Sequence, residues 1–222
     1  MTVPAGELGA QLLRAVQIMD RLRSPGGCPW DAEQTHSTLA PYLIEEAYET
    51  LEAIETADLK SLREELGDLL LQVLFHARLA EEAAPEERFT IDDVAADLVA
   101  KLTRRHPHVF SDVDADTAEQ VADNWDAIKK AEKQRKSATD GIAMGQPALA
   151  LAAKLVSRSA RAGLSVPVPE GDGIGNQLLA VVSAAVQAGV DPEQALRESA
   201  RDYREAIKAE ELRNASDRDR AS

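Results

Sequence analysis

Glu45, Glu46 and Glu49 in LIEEAYE, and Glu64, Glu65 and Asp68 in REELGD, set two short acidic clusters on either side of Thr56-Ala57-Asp58. Glu46 and Glu49 are one helical turn apart, as are Glu65 and Asp68, so each pair shares a helix face. A short turn between antiparallel helices brings together residues equidistant from it. With Ala57 as midpoint, Glu49 meets Glu65 and Glu46 meets Asp68. Converging carboxylates repel by about 4 kcal/mol per pair at about 4 Å in an intermediate dielectric. A divalent cation reverses the sign. Oxygen-only ligands, without cysteine or clustered histidine, suit Mg²⁺ or Mn²⁺ rather than zinc. Solvated helix glutamates explain any one of these acids but poorly explain the matched pairs.

A di-iron bundle is the competing metal site, and it needs Glu-x-x-His on two helices. Glu33-Gln34-Thr35-His36 has that spacing once, in a stretch without a helical stripe, and His76 reads as a core or interface residue. That reading is rejected. Two basic stretches stand out, KLTRRHPH at 101–108 and NWDAIKKAEKQRK at 124–136. Lys101 and Arg105 share a helix face, and so do Trp125 and Lys129. Beside a metal they suit a phosphorylated substrate, with the indole as a stacking plane. Alone, they would only balance acidic helices through weak surface pairs. Trp30 in CPWD is either a wall for a base or an anchor for its loop.

Helices must position these groups. Leu8, Leu12, Val16, Met19 and Leu22 mark a first amphipathic helix, stopped by Ser24-Pro25-Gly26-Gly27. CPWDAEQTHS at 28–37 reads as an ordered loop. A second helix begins near Ser37–Pro41 and carries Leu43, Ala47, Leu51 and Ile54. Asp58 is a plausible N-cap for a third, through Leu62, Leu66, Leu69, Val73, Ala77 and Ala80. Further helices fit 91–105, 117–136, 147–162, 174–188 and 192–212, with a polar tail expected to fray. No segment alternates convincingly with period two, so the fold class is all-α.

Composition bounds the partners. The 222-residue chain carries a net charge of −14 and only 4% aromatics. That field repels nucleic acid and anionic membranes, so an anionic ligand needs a cation or a local basic patch. No apolar run is long enough to cross a bilayer, and MTVPAGELGA lacks the pattern of a signal peptide. The single Cys28 forms no intrachain disulfide and no thiolate zinc cluster. A soluble, cytoplasmic protein is expected, with neither nucleic acid nor membrane as partner.

CPWDAEQTH, PYLIEEAYE, EELGDLLLQVLFHA, RRHPHVF and NWDAIKKAE resemble, in order and spacing, the MazG nucleoside triphosphate pyrophosphohydrolases. The resemblance runs from about Leu12 to Glu132. It implies an all-α bundle of the MazG type, usually dimeric, that binds Mg²⁺ (Mn²⁺ a possible substitute). It implies hydrolysis of the α–β bond of (d)NTPs to a nucleoside monophosphate and pyrophosphate, in the manner of a pool-cleaning enzyme. Glu46, Glu49, Glu65 and Asp68 become the metal ligands. Glu45, with Glu46 and Glu49, belongs to the catalytic group and is the candidate to orient or activate water. Lys101, Arg104, Arg105, Trp125 and Lys129, with Trp30, fall on the substrate side.

The second half departs from that pattern. Gly173 to Ile207 resembles the repeat of GDLLLQVLFHARLAEE and the helix after it, with Gly175-Asn176 standing where Gly67-Asp68 stands. No acidic helix precedes it. Residues 1–140 are therefore read as the catalytic helical domain, and 141–222 as a degenerate second lobe lacking the acidic hairpin. That loss motivates an alternative, a catalytically idle nucleotide- or protein-binding module. A purely structural helical adaptor, with the acids only solubilising, is a third reading.

Overall fold

The computed structural model describes residues 8–111, 117, 120–121, 125, 128, 132 and 136–221, with side chains to 215 in the last helix. The described residues form helices and turns without a strand. Two compact units divide the chain, Met1–Trp125 and Asp126–Ser222.

The first unit holds α1 (Ala10–Arg23), α2 (Pro29–Glu33), α3 (His36–Glu55), α4 (Leu59–Ala80), α5 (Ile91–Arg105) and α6 (Pro107–Phe110). Its core is Met19 of α1, Leu39 of α3, and Leu74, Phe75 and Leu79 of α4, flanked by Val16, Leu22, Leu70 and Ile91. These are the apolar stripes of four helices turned toward one another. Arg78 of α4 adds a tie to α1 through Asp20 at 2.9 Å.

The turn between α3 and α4 sets the register of the acidic clusters. Asp58 N–H donates to Ala53 O at 3.0 Å and Ala57 N–H to Ile54 O at 3.1 Å, the paired bonds of a Schellman ending. Ala57 sits at φ 55, in the left-handed region usually given to glycine. Asp58 then caps α4, its Oδ1 accepting from Lys60 N–H at 3.0 Å and Ser61 N–H at 3.1 Å. These bonds, the Ser61 backbone first, hold its carboxyl below the usual aspartate range. At the other end of α3, Thr35 and Thr38 form a capping box. Pro41 lies inside α3, deeper than the first turn where proline costs nothing. The carbonyl it leaves without an amide partner belongs to exposed Ser37.

Two expectations need correcting. The stretch 28–37 is not a loop throughout: it contains α2 and the first residues of α3. Pro29 at the start of α2 pre-sets the helical φ, but five residues are too few to show a stripe. Tertiary contacts hold α2 instead. Arg23 Nη1 donates to the carbonyls of Asp31 and Gln34, while its other two nitrogens grip Glu82 at 2.9 Å each. The guanidinium holds the Glu82 carboxyl below its ordinary range. Gly27 is required beside α1, because a Cβ there would collide with the Leu22 carbonyl.

In the second unit α7 (Ala148–Arg161), α8 (Ile174–Gln187) and α9 (Pro192–Ala221) pack together, with Val182 fully buried. The other correction is the helix expected at 192–212, since α9 continues to Ala221. Most of the helix expected at 117–136 lies outside the described residues, although Gln120, Val121, Trp125, Ile128 and Glu132 are helical.

Replacing Ala57 with glycine relieves its left-handed backbone while loosening the unfolded chain. The expected net effect is a gain of about 0.5 kcal/mol in urea unfolding. A loss there would show that the Ala57 methyl is itself a packing contact.

Candidate metal centre

On α3 and α4 the acidic clusters meet as the turn dictates. Glu46, Glu49 and Glu65 each bring one carboxylate oxygen to within 4.8 Å of the others. Asp68 falls outside that close set, consistent with a side chain one methylene shorter than glutamate. Its charge nonetheless acts on both Glu46 and Glu65. Glu45 is exposed on α3 and is not in the close set.

The cluster is electrostatically uncompensated. Glu46 has its pKa raised by burial first, then by the charges of Asp68 and Glu49, a hydrogen bond shared with Glu49, and the charge of Glu65. Glu65 is raised by desolvation first, then by Glu49, Asp68 and Glu64. Both causes disfavour the ionised form. All-oxygen donors at this spacing, resisting their own ionisation, match what a hard divalent cation needs. The residues fit such an ion.

The aromatic and basic candidates fall into two groupings. Trp30, half exposed, meets Tyr42 of α3 and Phe75 of α4 edge-to-face, with ring centroids 6.1 and 6.4 Å away. Gln34 secures it, donating from Nε2 to Trp30 O at 2.9 Å and accepting from Thr38 Oγ1. Trp30 is therefore an anchor of α2 that also keeps an open face. Tyr42 was not singled out from sequence, yet it lies one turn before Glu46 and on the same face. That spacing was the available signal.

The second grouping lies at the end of α5. The Arg105 guanidinium carbon sits 5.9 Å from the Trp125 ring centroid, and the His106 ring meets the indole edge-to-face at 4.7 Å. Lys101 and Arg104 are exposed on α5. Lys129 lies outside the described residues.

His36 and His76, treated separately in the sequence, stack with ring centroids 5.0 Å apart and an Nδ1 to Nδ1 distance of 2.8 Å. Burial and the neighbouring His36 lower the His76 pKa, which favours the neutral ring. In the second unit Asn176, the counterpart of Asp68 in the internal resemblance, donates from Nδ2 to the Glu170 carbonyl at 3.3 Å. Among the described residues, Glu46, Glu49 and Glu65 are the one group of three or more potential metal ligands in close convergence.

An all-helical unit that gathers three carboxylates on one helical hairpin defines a class of helical proteins with a candidate oxygen-ligand metal site. Comparison with known proteins narrows it. Residues 34–110 match the family model described as the MazG nucleotide pyrophosphohydrolase domain, a span that contains both acidic clusters. The chain is 54% identical over 205 residues to an uncharacterised 26.1 kDa protein of Streptomyces cacaoi, covering 91% of this chain and 84% of that one. It is 44% identical over 211 residues to the nucleoside triphosphate pyrophosphohydrolase of Mycobacterium tuberculosis, covering 95% of this chain and 61% of that protein. With the nucleoside triphosphate pyrophosphohydrolase of Escherichia coli K12 the identity is 45% over 187 residues, 82% of this chain and 70% of the relative. The chain belongs to the MazG nucleotide pyrophosphohydrolase family, and is an enzyme of that hydrolase class.

Raised carboxyl pKa values carry a sign. The protons bind more tightly in the folded state, so this contribution to stability is present below the ordinary glutamate pKa and is lost as pH rises through the raised values. In chelator, Glu65→Gln should therefore melt higher than the unsubstituted protein at pH 7, with the difference closing toward pH 4. Calorimetry across that range reads it; a difference that widens in acid would contradict the repulsion.

Proposed function

We propose that this protein hydrolyses nucleoside and deoxynucleoside triphosphates at the α–β bond, giving a monophosphate and pyrophosphate, with Mg²⁺ as its cofactor and Mn²⁺ as a substitute. The observation that carries the reading is the convergence of Glu46, Glu49 and Glu65 within 4.8 Å, with Asp68 repelling two of them. The relatives in Mycobacterium tuberculosis and Escherichia coli bear the name nucleoside triphosphate pyrophosphohydrolase, which supports the substrate class.

Glu46, Glu49, Glu65 and Asp68 are the residues that would hold the ion. When bound, it supplies Lewis acidity, neutralising phosphate charge and making water a stronger acid. Glu45, exposed beside this group, accepts the proton of the attacking water. The water oxygen joins phosphorus as the α–β anhydride bond breaks, and that bond's electron pair leaves with the departing phosphate group. Lys101, Arg104, Arg105 and Lys129 hold the remaining phosphates by charge, and Trp30 and Trp125 offer ring faces to the base.

A homodimer goes with this reading. Ile44 and Ile54 of α3 and Leu66 of α4 are each more than half exposed, apolar surface that a second subunit would cover. None of the helices searched is long and apolar enough to cross a membrane. Removal of aberrant nucleotides from the cytoplasmic pool is the role proposed.

Product analysis with a mixture of dNTPs and Mg²⁺ should yield dNMP and pyrophosphate; orthophosphate in their place would contradict the assigned bond. Glu49→Gln and Asp68→Asn should each lower kcat by about two orders of magnitude with helicity intact. Full turnover in both variants would remove the carboxylate centre from the mechanism. Saturable nucleotide binding without any turnover would favour an idle binding module.

A further inference from the structure

The inward face of α4 does not turn apolar where the acids end. Gln72 follows Asp68 by one turn and His76 follows Gln72 by another, on the face that carries Glu65. Gln72 is only 5% exposed, and its Oε1 is sealed from solvent without a hydrogen-bond partner. His76 Nε2 is likewise sealed and unpartnered, although its Nδ1 meets His36. An orphaned buried amide arm is destabilising, and an apolar residue of the same length would avoid that cost.

What surrounds this level of the hairpin tells which ligand would satisfy the amide. Equidistance from Ala57, the register that joins Glu49 to Glu65, sets Gln72 level with Tyr42. Tyr42 and Phe75 both meet the Trp30 ring, so three aromatic rings span α3 and α4 at the rung next to the carboxylates. Trp30 and Tyr42 are each about half exposed, and Phe75 backs them from the core. Partly exposed rings on the level of a carboxamide are the chemistry that takes a planar heterocycle with a donor–acceptor edge.

We infer that Gln72 is a specificity residue, its side-chain amide hydrogen-bonding the edge of the substrate's nucleobase beside the exposed rings of Trp30 and Tyr42. This rests on the triphosphate reading above. The carboxylates handle the phosphates, and the amide one turn along α4 handles the base. The distance between them along the hairpin is the rigid spacer that makes a nucleotide, rather than free pyrophosphate, the preferred ligand.

The test measures binding apart from turnover. Calorimetric titration of the full chain with α,β-methylene dNTP analogues of the four bases, and with base-free deoxyribose 5′-triphosphate, gives Kd in the presence of Mg²⁺. Gln72→Met should weaken the tightest base-bearing analogue about tenfold, leave the base-free triphosphate unchanged, and keep or raise Tm without ligand. Equal weakening of both ligands, or no weakening of either, overturns the inference. Gln72→Asn keeps the amide but withdraws it by one methylene, and should give the same selective loss; it serves if the methionine variant does not fold. Should wild-type turnover be absent while the base-selective loss remains, the hydrolytic reading falls and the assignment of Gln72 stands.

Discussion

Carboxylates on adjacent helices repel one another, and in this protein the backbone holds them together in spite of it. The hold is a turn only a few residues long, with its hydrogen bonds satisfied from both sides. The Schellman bonds of Ala57 and Asp58 close α3, and the Asp58 carboxylate opens α4. The helices leaving this turn have no freedom to slide by a residue, because Leu39, Leu74, Phe75 and Leu79 interlock with α1 below. The energy that crowds Glu46, Glu49 and Glu65 therefore comes from caps and core packing and not from the acids themselves. Such strain is common at functional sites, where surrounding structure over-determines a local arrangement that would not persist alone.

That division of labour explains what could be read in the sequence. The hairpin was legible because its determinants are local: an N-cap aspartate, apolar residues at helical period, and equidistance from one turn. The bounds of α5 were legible for the same reason, with Thr90 and Asp93 boxing its start and His106-Pro107 ending it. Equidistance along the chain does not register side-chain length, so Asp68 was placed level with Glu46 but falls outside the closest group. The helix α2 was missed because Arg23, Gln34 and Glu82, distant in sequence, hold it. The partner of Trp125 was missed similarly: Arg105 reaches it from another helix, a pairing that spacing within one helix does not show.

Polar groups without partners follow the same line as the acids. Thr50 Oγ1, Gln72 Oε1 and His76 Nε2 lie on the two helices that carry the carboxylates. An apolar hairpin would be more stable at each of these points. The stacked His36–His76 pair shows how some of this polar chemistry is satisfied within the protein.

The Arg23 clasp carries a consequence of its own. One planar cation simultaneously closes the end of α2 and grips Glu82 with a two-pronged contact. A lysine in its place offers one point charge and no fork, so it cannot satisfy both sides. The orientation of Trp30 thus hangs on a residue of α1 that touches no candidate ligand group. Sequence drift at this remote joint would be felt at Trp30 through α2, without any change to Glu46, Glu49 or Glu65.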